Sequence, residues 1–394
     1  MTHFEATCFE TLDYIKNSYS ARICQLEEEK KAGKKIVGTL CLFVPDEIIF
    51  AAGADRVILC GGKNDAVSIA EQYLPRNICP LIKSSFGSIV NNGYSGVKSC
   101  SHFGLVDMVV AENTCDSKKK TYELMGDYVP TYVLDLPQKP EGPAAVKYFL
   151  EELNKFKGIM EELTGNKVTV EQLKKEIISS NETRKLLHRL YDLRKREYPP
   201  ISGLDMIKVM QKQYVLSAED FKEALRTLIN EAEQTRADSI AGSKDEFTHR
   251  PRIMISGCPM PGGSTKVPEI IENRGGLIVV EESCTGTRSF WDLVDENKDP
   301  MTALAERYIK IPCSCMTPND RRIDNILELA REFKVDGVVN YTLQFCHGYN
   351  IERYKVQQAL KNAGIPVLSI ETDYSDSDVE QIGLRVDAFM EMLS

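Results

Sequence analysis

The residues of this 394-residue chain best placed to do chemistry are its cysteines, twelve in number. Six of them close short runs rich in β-branched and aliphatic residues: Cys41 ends KIVGTLC, Cys60 ends RVILC, Cys115 ends VDMVVAENTC, Cys258 ends RIMISGC, Cys284 ends LIVVEESC and Cys346 ends VDGVVNYTLQFC. Such runs read as buried strands, and open α/β sheets bind ligands beyond the carboxyl ends of their strands. Those thiols would therefore meet along one sheet edge, which suits an iron–sulfur site. Any single one could instead be a small buried apolar residue, the reading preferred for Cys8 and Cys24 on the leading helix. Cys79, Cys115 and Cys346 differ, because Pro80, Asp116 and His347 follow them directly and suit a helix start. A helix amino terminus favours a thiolate.

Common alternatives fit poorly. There is no C-x-x-C pair, the nearest being Cys313-Ser314-Cys315, and the five histidines form no zinc-type H-x₃₋₅-H cluster. The closely spaced cysteines of bacterial ferredoxins are also missing. Ligands to iron would have to come from distant loops. A net charge of −9 argues against a polyanionic partner, and Lys118-Lys119-Lys120 reads as a solvated helix face. With no long apolar span and a polar beginning, the protein is expected to be cytoplasmic, its thiols reduced.

The elements that would position these thiols alternate in type. Phe4 to Lys35 reads as helix, then strands are predicted near 35–40, 56–60, 106–111 and 131–135, with helices such as Asp46–Gly53 and Ala66–Tyr73 between them. About a hundred residues of helical periodicity follow from Ala144. Strands resume near 252–256, 277–281, 308–312, 335–340 and 366–370. The fold class is α/β: two similar Rossmann-like or flavodoxin-like parallel-sheet lobes with a helical insertion. The expected division is an N-terminal helical segment over 1–34, a first lobe over 35–143, an insertion over 144–247 and a second lobe over 248–394. The halves repeat, since Cys41 and Cys60 correspond to Cys258 and Cys284, and Cys79 and Cys115 to the Cys313–Cys315 region and Cys346. Two cysteine-bearing edges would thus face a shared cleft.

Polar candidates are fewer. His347 could donate a hydrogen bond or a proton, and Glu47, Glu281 and Glu282 could relay protons. Arg288 and Lys83 could offset cluster charge. The nearest phosphate-loop candidate, Gly257 to Lys266, has Gly263 where a Walker lysine belongs, so ATP would be handled elsewhere. Its glycines would let a ligand approach the backbone.

Taken together, these motifs resemble the cluster-bearing subunits of the 2-hydroxyacyl-CoA dehydratase and benzoyl-CoA reductase superfamily. The likeness rests on VPDEII (44–49) with AAG (51–53), LPRNICPLIKSS (74–85) and NTCD (113–116). It is nearest to the double-cubane cluster proteins through GTLC (38–41), ISGCP (255–259), ESCTG (282–286), IPCSCMTPN (311–319), LQFCH (343–347) and IETDYS (370–375) with Asp378. The resemblance implies a [4Fe–4S] cluster on Cys79, Cys115 and Cys346, or a double-cubane [8Fe–9S] cluster needing six thiolates. For the larger cofactor the second set is Cys41, Cys284 and Cys315, with Cys60, Cys100, Cys258 and Cys313 as alternatives. It further implies a reductase component that takes low-potential electrons from a separate ATP-hydrolysing activator with its own iron–sulfur cluster, reduces a small substrate and pairs as a homodimer. A 2-hydroxyacyl-CoA dehydratase subunit, a lyase with one cluster and a different partner subunit, is the alternative within enzymes. A non-catalytic electron carrier is the alternative outside them.

Overall fold

The computed structural model describes residues 9–94, 101–235 and 250–393; Cys8 and Cys100 lie outside the described residues. Two sheets of four parallel strands form the framework. In the first, β1 (Ile36–Thr39), β2 (Asp55–Ile58), β3 (Met108–Glu112) and β4 (Thr131–Leu134) run in the order β2-β1-β3-β4. In the second, β5 (Arg252–Gly257), β6 (Leu277–Glu282), β7 (Gly337–Leu343) and β8 (Val367–Thr372) run in the order β6-β5-β7-β8. The same order of first, second, third and fourth strand recurs in both lobes. Strands that are buried on both faces need apolar residues at successive positions, which is why IVGT, LIVVEE and GVVNYTL are entirely buried. The order reverses between β1 and β3, and again between β5 and β7, so each lobe presents its binding crevice at the ends of those strands.

The helical stretch between the sheets contributes four long helices, Pro143–Thr164, Val170–Asp192, Gly203–Lys212 and Ala218–Gln234. They do not close on a core of their own. Phe149, Phe156 and Ile177 pack with Val37 and Val110 of the first lobe, while Leu190, Met206 and Leu228 pack with Met254 and Val280 of the second. Helix Val170–Asp192 begins on a full capping box, Thr169 with Gln172, which satisfies two of the amide donors a helix start leaves free.

Three local expectations are corrected. The leading helix is broken into Glu10–Asn17 and Tyr19–Lys31 at Ser18, whose hydroxyl bonds the Ile15 carbonyl at 2.8 Å and so competes with the helical ladder. Ala66–Tyr73 keeps only the turn Val67–Ala70 as α-helix. No strand occupies 308–312. Tyr308 instead ends helix Pro300–Tyr308, whose Ala303, Leu304 and Tyr308 follow helical spacing, and Pro312 has no amide to give a ladder. No described helix is long and apolar enough to cross a membrane.

Candidate functional site

Nine of the ten described cysteines line one cavity of about 450 Å³. Cys24 is the exception, exposed on the second helix. The cavity lies at the carboxyl ends of the strands, where Cys41 follows β1, Cys115 follows β3, Cys258 follows β5, Cys284 follows β6 and Cys346 follows β7. Both lobes thus contribute thiols to one space. The loops of the two lobes meet beside it: a Cβ on Gly62 would stand 2.7 Å from the Gly262 carbonyl oxygen, and Gly263 has φ +93°. Gly62 and Gly263 allow the lobes to approach each other, while Gly262 lines the cavity with open space where a Cβ would stand.

The sulfurs fall into two groups. In the first, the Cys346 thiolate accepts hydrogen bonds from Cys258 and Cys79, which hold its pKa well below the usual thiol range. Donating to Cys346 pushes the Cys79 thiol up, and burial together with the same bond does so for Cys258. Cys115 stands nearby, close enough to feel the Cys346 charge. Cys79, Cys115 and Cys346 each directly precede a helix, namely Pro80–Tyr94, Asp116–Met125 and His347–Asn362. Three amino-terminal dipoles therefore point their positive ends at this group.

The second group lies on loops. The Cys313 pKa falls to about 6 because Cys315 donates to it through its thiol and its backbone amide, and Cys315 rises in return. Burial raises Cys41 and Cys284, each of which senses Cys313. Cys60 is pushed up to about 12 by burial, and its thiol donates to the Leu40 carbonyl at 3.1 Å. Among the described residues, no three His, Cys, Asp or Glu side chains gather tightly enough for a single metal ion. The thiols ring a space, and a ring of soft donors around an apolar cavity fits a polynuclear iron–sulfur group.

Two cations compensate this concentration of sulfur. The Lys118 ammonium bonds Glu112 Oε1 at 2.6 Å and the Leu40 carbonyl at 3.3 Å. Burial opposes its charge, but Cys41 and Glu112 outweigh burial and lift its pKa. Arg288 bonds Glu282 and Tyr349, and its Nη1 lies 3.9 Å from Cys284 Sγ. Sequence reading missed Lys118 by treating the lysine run as solvated. The available signal was its spacing, three residues after a capping cysteine, which returns a helical side chain to the same face.

Other candidates are placed elsewhere. His347 lines the cavity as an exposed first residue of its helix. Glu47 is absent from the lining and fully buried, with one oxygen bonded to Arg184 and the other to the Tyr308 hydroxyl, both at 2.6 Å. Both of its oxygens are engaged, which leaves no support for a proton relay there. Glu281 accepts from Tyr191 at 2.6 Å and Glu282 is held by Arg288, Arg322 and Ser256, so both brace the second lobe. Lys83 turns to Glu71 at 2.8 Å and the Arg76 carbonyl at 3.1 Å, away from the thiols. Lys266 is held by Thr372, Ser375 and Asp378, which leaves the glycine loop without a free phosphate-binding lysine.

Residues 41–393 match the profile of a family described as 2-hydroxyglutaryl-CoA dehydratase, D-component. YjiM of Escherichia coli (strain K12), provisionally named a dehydratase subunit, is 39% identical over 92% of this chain and 93% of its own. The (R)-phenyllactyl-CoA dehydratase beta subunit of Clostridium sporogenes is 25% identical over 93% and 94%. A subunit of the benzoyl-CoA reductase of Thauera aromatica is 24% identical over 93% and 92%. On this extent of similarity the chain belongs to the 2-hydroxyglutaryl-CoA dehydratase D-component family, within the 2-hydroxyacyl-CoA dehydratase and benzoyl-CoA reductase superfamily.

Proposed function

We propose that this chain is an iron–sulfur reductase component whose thiol cavity holds a double-cubane [8Fe–9S] cluster, fed with single low-potential electrons by a separate ATP-hydrolysing activator protein. The observation that carries this reading is the division of nine cavity thiols into two groups. A single [4Fe–4S] unit held through three cysteines would leave most of them without a role. Cys79, Cys115 and Cys346 would hold one unit, and Cys41, Cys284 and Cys315 the other, with Cys258 and Cys313 hydrogen-bonded beside them. When bound, the cluster would supply stored electrons at low potential.

The chain's own residues do the rest. Leu40, Leu81, Ile82 and Leu343 give the cavity an apolar wall beside the sulfurs. Lys118 and Arg288 offset negative charge, and His347 at the cavity wall is the group positioned to give a proton to a small substrate. Such a chain would carry a complete site and pair with a second copy of itself.

The names of the relatives favour a second reading, a dehydratase subunit with one [4Fe–4S] cluster on Cys79, Cys115 and Cys346 that eliminates water with a different partner subunit. Anaerobic iron and acid-labile sulfide counting separates the two. About eight irons per chain are expected here, and about four would replace this reading with the dehydratase one.

A further inference from the structure

Lys118 occupies a position that charge pairing alone does not explain. Its side chain is only 14% exposed, a costly place for an ammonium, yet it reaches from helix Asp116–Met125 into the wall of the thiol cavity. Glu112, wholly buried at the end of β3, fixes it: Oε1 accepts from Lys118, from Thr114 at 3.0 Å and from the Tyr122 hydroxyl at 3.4 Å, while Oε2 has no hydrogen-bond partner. The Leu40 carbonyl, one residue before Cys41, holds the ammonium from the other side. The Lys118 charge is felt at Cys115 and Cys346 of the first group and at Cys41, Cys284 and Cys313 of the second, as well as at Cys60. Arg288 is felt at Cys284 and Cys313, within the second group.

We propose that Lys118 is the common counter-cation of the cavity, a positioning residue whose ammonium, pinned by Glu112, offsets negative charge from both thiol groups and sets how readily the site accepts an electron. The inference rests on the iron–sulfur reading above. The electron comes from the partner reductase, and no bond in the protein forms or breaks as it arrives. A fixed positive charge in an apolar surround favours the more negative, reduced state, because Coulomb attraction is weakly screened there. Glu112 works in the opposite sense, partly cancelling the ammonium while keeping it in place.

The test is an anaerobic redox titration of the full chain followed by its cluster spectrum, with iron counted in every sample. In Lys118→Met, iron content should match the parent and electron affinity should fall at least tenfold, about 59 mV for a one-electron couple. Lys118→Arg should stay within threefold of the parent, and Glu112→Gln should raise the affinity. A Lys118→Met protein with full iron and an affinity within threefold of the parent would overturn the proposal, as would Glu112→Gln shifting in the same direction as Lys118→Met. If Lys118→Met does not retain iron, the sign of the Glu112→Gln shift decides. A parent chain that binds no iron would sink the functional reading instead, a separate result.

Discussion

Cys79, Cys115 and Cys346 stand directly before helices of 15, 10 and 16 residues, whereas Cys41, Cys284, Cys313 and Cys315 lie on loops beside ionised side chains. The first group is compensated by backbone. Helix dipoles do not titrate, and no single side-chain replacement removes them. The second group, besides sharing Lys118, is compensated by Arg288, itself held by Glu282, so its electrostatics depend on a few substitutable side chains. One cavity thus combines a half set by the fold with a half set by side-chain chemistry.

The largest effect should come from removing a sulfur. Cys346 accepts from two neighbouring thiols and sits at a helix start, so Cys346→Ala is expected to lose half the iron or more. Cys315→Ala should do the same from the other group, and Cys24→Ala, outside the cavity, should lose none. Iron per chain under anaerobic conditions is the measurement. Full iron in Cys315→Ala would confine the cluster to the helix-capped group and erase the comparison.

Next comes the brace behind the second group. Burial works against ionised Glu282, but Arg288 and then Arg322 outweigh it, so its pKa lies below the ordinary carboxylate value. Burial likewise opposes Glu47, outweighed by Arg184 and the Tyr308 hydroxyl. Removing one partner of a buried pair strands the other, and Glu282→Gln should cost about 3–5 kcal/mol in urea unfolding read from the emission of Trp291. The sign with pH follows. A carboxyl more acidic in the folded chain contributes stability above the unfolded pKa of about 4.3 and loses it as pH falls through the folded value. The parent should therefore weaken below about pH 4.5, and Glu282→Gln should do so less steeply. Equal slopes in the two proteins would show that this pair does not govern the acid limb.

Much of this architecture was legible in the residues. Strand runs ending in cysteine located the cavity, and the residue types after Cys79, Cys115 and Cys346 announced their helix starts. The repeat of the halves predicted two similar lobes, and the two sheets share one strand order. What could not be read were choices made by tertiary neighbours. Glu47 has the same local sequence whether it faces the thiols or Arg184, and that arginine lies 137 positions away. The run before Cys313 is apolar enough for a strand, yet it follows directly on a helix begun at Pro300 that ends at Tyr308. Gly62 and Gly263 serve the contact between lobes, a purpose visible only when 61–63 and 261–263 are seen side by side.

The smallest expected effect isolates what gives a cation its influence on the second group. Lys119 also lines the cavity and carries the same charge as Lys118, but it is 47% exposed and pairs with Asp116 at 3.0 Å, itself 93% exposed. Water screens such a pair, whose worth is about 0.5 kcal/mol or less. Lys119→Ala should therefore leave iron content intact and change electron affinity less than twofold, against the tenfold expected at Lys118. The same anaerobic titration reads both variants. If Lys119→Ala matched Lys118→Met, influence would follow charge alone, and the burial that separates the two neighbours would have no part in tuning the site.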